Sequence, residues 1–415
     1  MAVRRVAVTG LGAVTPIGIG ATNFWQALQA GRNGVDRITH FDPSSFPSKM
    51  AAEVRDFHPE EWIDKKSARR MDRFTHFGIA ASVMAMEDAG LTTAGFDGER
   101  AGVIIGSGIG GALTIEEGAR VLFNEGPTAL NPFFVTKLLI NMTACLVSIR
   151  FGLQGHISAP SMACSTGANA IGDAFRIIQR GEADIILAGS AEACITPLAY
   201  GGFCTNRSMS RRNDDMLRAS RPFDRDRDGF VMGEGAGIVI LEEMEHARRR
   251  GARIYAEITG YGNTADAYHF TAPDPDGKGM ARVMNLALAD AGIAPADVAY
   301  INAHGTSTPL NDKTESSVIS KVFGEHTPRL KVSSIKSMIG HLMGAAGAAA
   351  MVATVLSVFY DVVPPTINHQ EPDPECTLDY VSHEAQPLTI RYAACNSFGF
   401  GGGNACLVVK KYTDE

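Results

Sequence analysis

Three side chains in this sequence have types and settings suited to acyl chemistry: Cys164, His304 and His341. Cys164 lies in Ser161-Met-Ala-Cys164-Ser-Thr-Gly-Ala168, where a short strand is expected to stop and a helix to begin. From Ser165 onward Ala168, Ile171, Phe175 and Ile178 follow helical spacing. A cysteine in the first turn of a helix meets backbone N–H groups that have no intrahelical partner. Their partial positive charge lowers a thiol's pKa, and the same N–H groups can hold an oxyanion. Alone, a free cysteine is more often a small buried hydrophobe; the histidines change that balance. His304 follows a strand in Ile301-Asn-Ala-His304-Gly-Thr-Ser-Thr308, and His341 ends Ser334-Ile-Lys-Ser-Met-Ile-Gly-His341. Such a set suits a thiolate that attacks a thioester and keeps the acyl group, while two imidazoles donate hydrogen bonds to a second carbonyl. An enolate formed by loss of CO2 needs no strong base, so two donors in a dry site suffice. Metal binding is the rival use. These residues have no short-range ligand spacing and there is no Cys-x-x-Cys, so no metal is expected.

The elements that must position these groups read as alternating strands and helices. Strands are expected at 3–9, 101–105, 183–189, 235–242, 298–302 and 405–409. Helices are expected at 21–30, 60–73, 77–89 and 342–360, with two more in 112–150. Gly10-Leu-Gly12 reads as a tight turn after the first strand, and 396–404 as a glycine-rich turn before the last. Gly106-Ser-Gly-Ile-Gly-Gly111 matches a dinucleotide fingerprint only weakly, because no acidic strand end follows at the usual distance; a tight turn near the reactive centre is the better use. The arginine- and aspartate-rich stretch 206–228 reads as a surface loop, and 246–253 as a charged turn between two halves. The second half echoes the first. Met84-Ala-Met-Glu-Asp-Ala-Gly-Leu91 before a strand is repeated by Leu286-Ala-Leu-Ala-Asp-Ala-Gly-Ile293, and Cys164-x-x-Gly167-Ala168 by His341-x-x-Gly344-Ala345. The reading is duplication: residues 1–250 carry the cysteine, residues 251–415 carry both histidines, and equivalent helix starts converge on one centre.

Composition bounds the rest. The chain has 415 residues, 45% hydrophobic and 20% charged, as in a soluble globular protein. A net charge of −7 argues against general nucleic-acid binding. The cysteines number seven, an odd count, and they are scattered, which fits reduced thiols in a cytoplasmic setting. The N-terminus runs into a strand with no visible signal peptide. Residues 342–360 are uncharged over about the length that spans a bilayer. Their alanine- and glycine-rich make-up reads as a buried core helix, so no membrane partner is expected.

Four motifs carry a family resemblance: Ala163-Cys164-Ser-Thr-Gly-Ala, Asn302-Ala-His-Gly-Thr-Ser-Thr-Pro309, Ser334-Ile-Lys-Ser-Met-Ile-Gly-His341 and Asn396-Ser-Phe-Gly-Phe-Gly-Gly402. Together, and over essentially the whole chain, they resemble the β-ketoacyl-(acyl carrier protein) synthases, nearest to the type II elongating branch of bacterial fatty-acid synthesis. The resemblance implies an α/β fold of the thiolase-like duplicated αβαβα five-layer type, working as a homodimer, with a heterodimer as the alternative. It implies decarboxylative Claisen condensation of an acyl chain on Cys164 with malonyl-acyl carrier protein, without a cofactor. His304 and His341 then stabilise the enolate, Lys336 supports them, and the N–H groups of Cys164 and Phe400 form the oxyanion hole. Phe400 is also the implied gate on a mobile loop with Gly399, Gly401 and Gly402, moving with a second loop around Asp266. Thr306 and Thr308 are implied contacts of the phosphopantetheine arm, and Ile109 and Phe134 of the substrate, Ile109 at the position that sets acyl length. Lys65, Lys66, Arg69, Arg70 and Arg207 form a basic group suited to an acidic carrier protein. Two positions depart from the pattern. Ala350 stands where members usually carry a glutamate that helps hold a monovalent cation, and Met162 is bulkier than usual, which predicts a reshaped acyl pocket. Other readings are a type II polyketide or polyene synthase with the same chemistry, a thiolase acting on coenzyme A esters, and a non-catalytic chain-length partner. Cys164 with both histidines argues against the last.

Overall fold

The computed structural model describes residues 3–91 and 95–413. Ten strands build its main sheet: β1 (Val6–Thr15), β2 (Ala101–Gly106), β3 (Ile157–Ser158), β4 (Ile185–Glu192), β5 (Gly235–Glu243), β6 (Ala256–Ala265), β7 (Val298–Asn302), β8 (Lys331–Ser333), β9 (Tyr392–Phe398) and β10 (Gly403–Lys411). Their spatial order is β8-β7-β9-β10-β6-β1-β5-β4-β2-β3, with a two-residue strand, Gly18–Ile19, added on β1. The order reads as the same five-strand pattern twice. β1 is antiparallel to β5 and β5 to β4, then β4, β2 and β3 run parallel. β6 repeats this with β10, β9, β7 and β8. The two copies join through three antiparallel pairs, Val6↔Ile258, Ala7↔Glu257 and Val8↔Ala256.

Helices complete the layers: α1 (Arg73–Asp88), α2 (Thr166–Gln179), α3 (Lys278–Ala291), α4 (Pro309–Phe323) and α5 (Ala346–Tyr360). α1 packs on β1 and β5, and α3 on the equivalent β6 and β10. α2 and α5 pack on each other between the half-sheets, which gives the five-layer αβαβα arrangement of the thiolase-like fold. α5 is apolar all round because it is buried all round. With the turn before it, Met343–Tyr360 is long and apolar enough to cross a membrane, yet 89% of it is buried inside the protein.

Glycines mark where layers touch. Gly10 and Gly12 do not form the expected turn; they lie inside β1, where added Cβ atoms would meet the Ala85 and Ala81 carbonyl oxygens of α1 at 2.3 and 1.9 Å. Gly260 and Gly262 in β6 do the same under α3, with Ala287 O and Val283 O both at 2.2 Å. At the centre, a Cβ on Gly167 would lie 2.5 Å from Ala348 N, and one on Gly347 2.7 Å from Ala168 N. That reciprocal contact pairs Gly167 with Gly347, so the expected register, which set Gly167 against Gly344 and Cys164 against His341, is three residues out.

Other expectations change too. The charged helix at 60–73 is a 3-10 turn, Pro59–Glu61, a four-residue turn, Lys65–Ala68, and only then α1, because Asp64 and Asp72 each cap a new start. The segment 206–228 is partly interior: Arg221, Asp224 and Arg227 are buried, Arg227 pairing with Asp373 and donating to the carbonyls of Thr308 and Pro309. The charged turn at 246–253 contains a helix, Met244–Arg249. Between β2 and β3 there are three helices rather than two: Ala112–Glu125, Phe134–Leu138 and Met142–Phe151.

Candidate active site

Cys164 does not end a strand. β3 stops at Ser158, and the chain then bends through Ala163 in a left-handed conformation (φ 47°) before α2 begins at Thr166. The bend is held locally: Thr166 Oγ1 donates to Ala163 O at 2.7 Å and accepts from Met162 N at 2.8 Å, while Ser165 Oγ donates to Met162 O at 2.9 Å. From the other half, Ser397 Oγ donates to Cys164 O at 3.1 Å. The N–H groups of Phe400 and of Cys164 itself lie close enough to the sulfur to favour its thiolate. This is the donor pair that an oxyanion on an acyl-cysteine requires. The expected lowering of the thiol pKa is not found. Burial pushes it up to about 11, and the Phe400 N–H and the Lys336 charge offset this only in part.

One cavity of about 380 Å³ brings Cys164, His304, His341, Phe400, Thr306 and Thr308 together. The two imidazoles stand 5.4 Å apart, centroid to centroid, at 87°. Burial and the Lys336 charge hold both far below the usual histidine range, so both are neutral. His341 Nδ1 accepts from the Met343 N–H at 3.2 Å, which leaves Nε2 as its protonated, donating nitrogen. His304 Nδ1 is buried without a protein partner among the described residues. Its loop is fixed from α4, where Glu315 accepts from His304 N (2.9 Å) and Gly305 N (2.8 Å) and Asp312 from Thr306 N (3.0 Å). Lys336 is 3% exposed; burial lowers its pKa, and the field of Glu315 opposes that.

The loop holding Phe400 is a tight hairpin between β9 and β10, so the expected long turn 396–404 shrinks to four residues. Gly399 approaches Met162 O so closely that a Cβ would sit 2.7 Å away, and Gly401 and Gly402 take φ of 84° and 77°. Gly401 N donates to Phe270 O (2.9 Å), Asp266 N to Gly402 O (2.8 Å), and Asn404 Nδ2 to Asp266 Oδ1 (2.7 Å). The two loops expected to move together are therefore hydrogen-bonded to each other. Thr306 and Thr308 face one another, Oγ1 to Oγ1 3.0 Å. Ile109 lies in the apolar cluster that contains Cys164, with Cys194, Tyr200 and Phe203. Phe134 is not at this cavity; its ring packs on Gly118, where a Cβ would lie 2.2 Å from it. Met162 is 41% exposed with its methyl against Gly403, so the bulk expected in the acyl pocket points elsewhere. Lys65, Lys66, Arg69 and Arg70 are exposed, Arg70 resting on the Phe133 ring at 4.8 Å, and Arg207 is at the cavity rim.

Sequence reading missed Glu192, Asp312 and Glu315, three buried carboxylates next to the reactive groups. For Asp312 and Glu315 a signal existed: two acids one turn apart, directly after a histidine loop. Cys395, the second thiol a thiolase would need, lies within β9, pushed up to about 11 by burial, and does not line the cavity.

Comparison with known proteins gives the family. Residues 3–247 match the β-ketoacyl synthase N-terminal domain model and residues 255–370 the C-terminal one. The chain belongs to the β-ketoacyl synthase family. Relatives named 3-oxoacyl-[acyl-carrier-protein] synthase 2 include those of Synechocystis (51% identical, covering 99% of this chain and 98% of the relative) and Staphylococcus aureus strain N315 (51%, 99% of each). Among solved structures, the ishigamide ketosynthase/chain length factor superposes with a TM-score of 0.93 at 38% identity, covering 99% of this chain and 100% of that one. A type II polyketide acyl carrier protein in complex with its ketosynthase gives 0.92 at 37%, with the same coverage. The resemblance places at position 350 a glutamate that helps hold a monovalent cation, and this chain carries Ala350 there. The Ala350 carbonyl already accepts from Asn302 Nδ2 (3.0 Å) and Thr354 Oγ1 (2.8 Å), and the side chain offers no charge. The residues present do not fit the monovalent cation that a glutamate there helps to hold.

Proposed function

We propose that this protein elongates acyl chains by decarboxylative condensation with malonyl-acyl carrier protein, as a synthase of fatty-acid assembly. The observation that carries the reading is the single cavity in which a cysteine, two neutral imidazoles and a two-N–H oxyanion hole meet. Cys164 sulfur attacks the acyl thioester, the N–H groups of Cys164 and Phe400 hold the oxyanion, and the pantetheine sulfur leaves with the thiol proton. Malonyl-carrier protein then enters, with its pantetheine amides at Thr306 and Thr308. The malonyl thioester oxygen accepts from His341 Nε2–H and from His304. The bond to the carboxylate breaks, CO2 leaves, and the electron pair becomes an enolate held by those donors. The enolate carbon attacks the acyl-cysteine carbonyl. Collapse of that intermediate breaks the carbon–sulfur bond, releases the Cys164 thiolate, which takes one proton from water to return the thiol, and gives β-ketoacyl-carrier protein.

The neutrality of both histidines supports these roles, since a neutral donor stabilises the enolate without supplying a proton that would quench it. Burial keeps them neutral, and the Lys336 charge adds to it. The exposed basic residues Lys65, Lys66, Arg69 and Arg70, with Arg207 at the rim, are assigned to the carrier protein. Exposed apolar side chains from Leu113 to Met162, beside the sheet edge at β3, support a homodimer over a monomer. Seven free thiols support a cytoplasmic location.

The test is Cys164→Ala: condensation of acyl- and malonyl-carrier protein is lost, while decarboxylation of malonyl-carrier protein persists. A variant that still condensed would overturn the assignment of the nucleophile. The second reading, polyketide or polyene assembly with a heterodimer partner, is favoured by the solved ketosynthase relatives. Mass spectrometry of the acyl group retained on Cys164, with sedimentation of the purified chain, separates the two.

A further inference from the structure

Glu192 ends β4 and is fully buried where the two halves meet. Its Oε1 accepts from Ser107 Oγ (2.8 Å) and Ile109 N (3.2 Å), and its Oε2 from Gly108 N (2.7 Å) and Gly344 N (3.0 Å). Three of these donors belong to the glycine turn that carries Ile109; the fourth belongs to the turn that follows His341. Both glycines are required by the approach, because a Cβ on Gly108 would lie 2.7 Å from Oε2 and one on Gly344 2.5 Å. Burial pushes the carboxyl pKa up, and the four donors pull it down. Three of the four partners are backbone N–H groups, which can only donate to it and so favour the anion, while burial favours the neutral acid.

What this anion holds is the turn that sets the tautomer of His341. Met343 takes φ 49°, a left-handed conformation that a non-glycine residue keeps only when its surroundings impose it. The turn is pinned at both ends: Met343 N–H on His341 Nδ1, and the next N–H, of Gly344, on Glu192. We propose that Glu192 is a positioning residue, which ties the His341 turn to the turn at the acyl pocket and thereby holds His341 with Nε2 as its donor. This rests on the condensation reading above and assigns the control of its decarboxylation step to a residue outside the cavity. The charged or titratable groups that share this centre are Cys164, Cys194, His304, His341 and Lys336.

The experiment compares E192Q with the parent by three readouts. Glutamine keeps the shape but sets an N–H against N–H donors. Malonyl-carrier protein decarboxylation is expected to fall about tenfold or more in kcat, with KM within about twofold. Alkylation of Cys164 by iodoacetamide at pH 8 is expected to be equal or faster, since an anion that raises the thiol pKa is removed. The 15N spectrum of His341 is expected to show one Nε2–H tautomer in the parent and a mixture in E192Q. Unchanged decarboxylation, or loss of decarboxylation and alkylation together, overturns the proposal. Should E192Q not fold, the parent spectrum still decides: an Nδ1–H tautomer for His341 overturns it. A parent chain with no malonyl decarboxylation at all sinks the condensation reading instead, and leaves the tautomer measurement standing.

Discussion

The Cys164 thiol is where two opposing effects can be weighed. Two N–H donors and a lysine charge favour the thiolate, yet burial outweighs them and leaves the resting sulfur protonated at neutral pH. The free enzyme is therefore expected to react with iodoacetamide at a rate that climbs with pH toward about 11. A rate already level at pH 8 would contradict this balance. Lys336 acts in one direction on all three groups: its charge lowers the pKa of Cys164, His304 and His341. Lys336→Met is expected to raise all three. In pH profiles of malonyl decarboxylation, where imidazoles must stay neutral, the acid limb should move to higher pH; an unmoved limb would show that the lysine acts otherwise. The reactive residue types and their loops were legible in the chain, because each motif is local. The direction of the Cys164 shift was not, because desolvation depends on what covers the sulfur.

Elements were legible where one local rule dominated. The strands β2, β4, β5, β7 and β10 and the apolar α5 are where the residue pattern places them, to within a few residues, whereas β1 runs on to Thr15 and β6 has no expected counterpart. The helix expected at 60–73 failed because two capping aspartates restart the chain there, which outweighs a run of good helix formers. Gly10 and Gly12 looked like a turn because glycine also makes turns; only the helix lying on β1 shows that their missing Cβ is what matters. The same logic yields a paired prediction. Gly347→Ala puts a methyl 2.7 Å from backbone at the α2–α5 crossing, and is expected to cost about 1–3 kcal/mol in denaturant unfolding. Gly202→Ala, in helix Pro197–Thr205 with nothing within 4 Å of the new Cβ, is expected to stabilise by about 0.5–1 kcal/mol. Similar effects at the two sites would undo the packing argument.

At the scale of the molecule, the buried neutral histidines have a linkage consequence. Their folded pKa values lie below the unfolded value of about 6.5, so below pH 6.5 the unfolded chain binds more protons. Stability is then expected to fall as pH drops from 6.5, and His341→Gln, if folded, should flatten that fall in thermal melts across pH 5–7. A slope unchanged by the substitution would assign acid lability to other groups. The neutral surroundings of Ala350 lead to a second expectation: condensation rates at constant ionic strength should not depend on whether the salt supplies K+, Na+ or a large organic cation. Specific activation by one of them would restore a cation site that the residues present do not fit.

The sequence by itself determined the reaction. The cysteine, imidazoles, lysine and glycine loop assigned to it each lie in a short motif, and short motifs keep their chemistry whatever surrounds them. Duplication was readable too, since the helix end at Ala89-Gly90 recurs at Ala291-Gly292 with a strand after each. The tertiary structure decided the register of the two halves, the buried carboxylates, the protonation of the thiol and the place of Phe134. Those depend on which atoms of distant segments approach within a few ångströms, and spacing along the chain does not encode that distance.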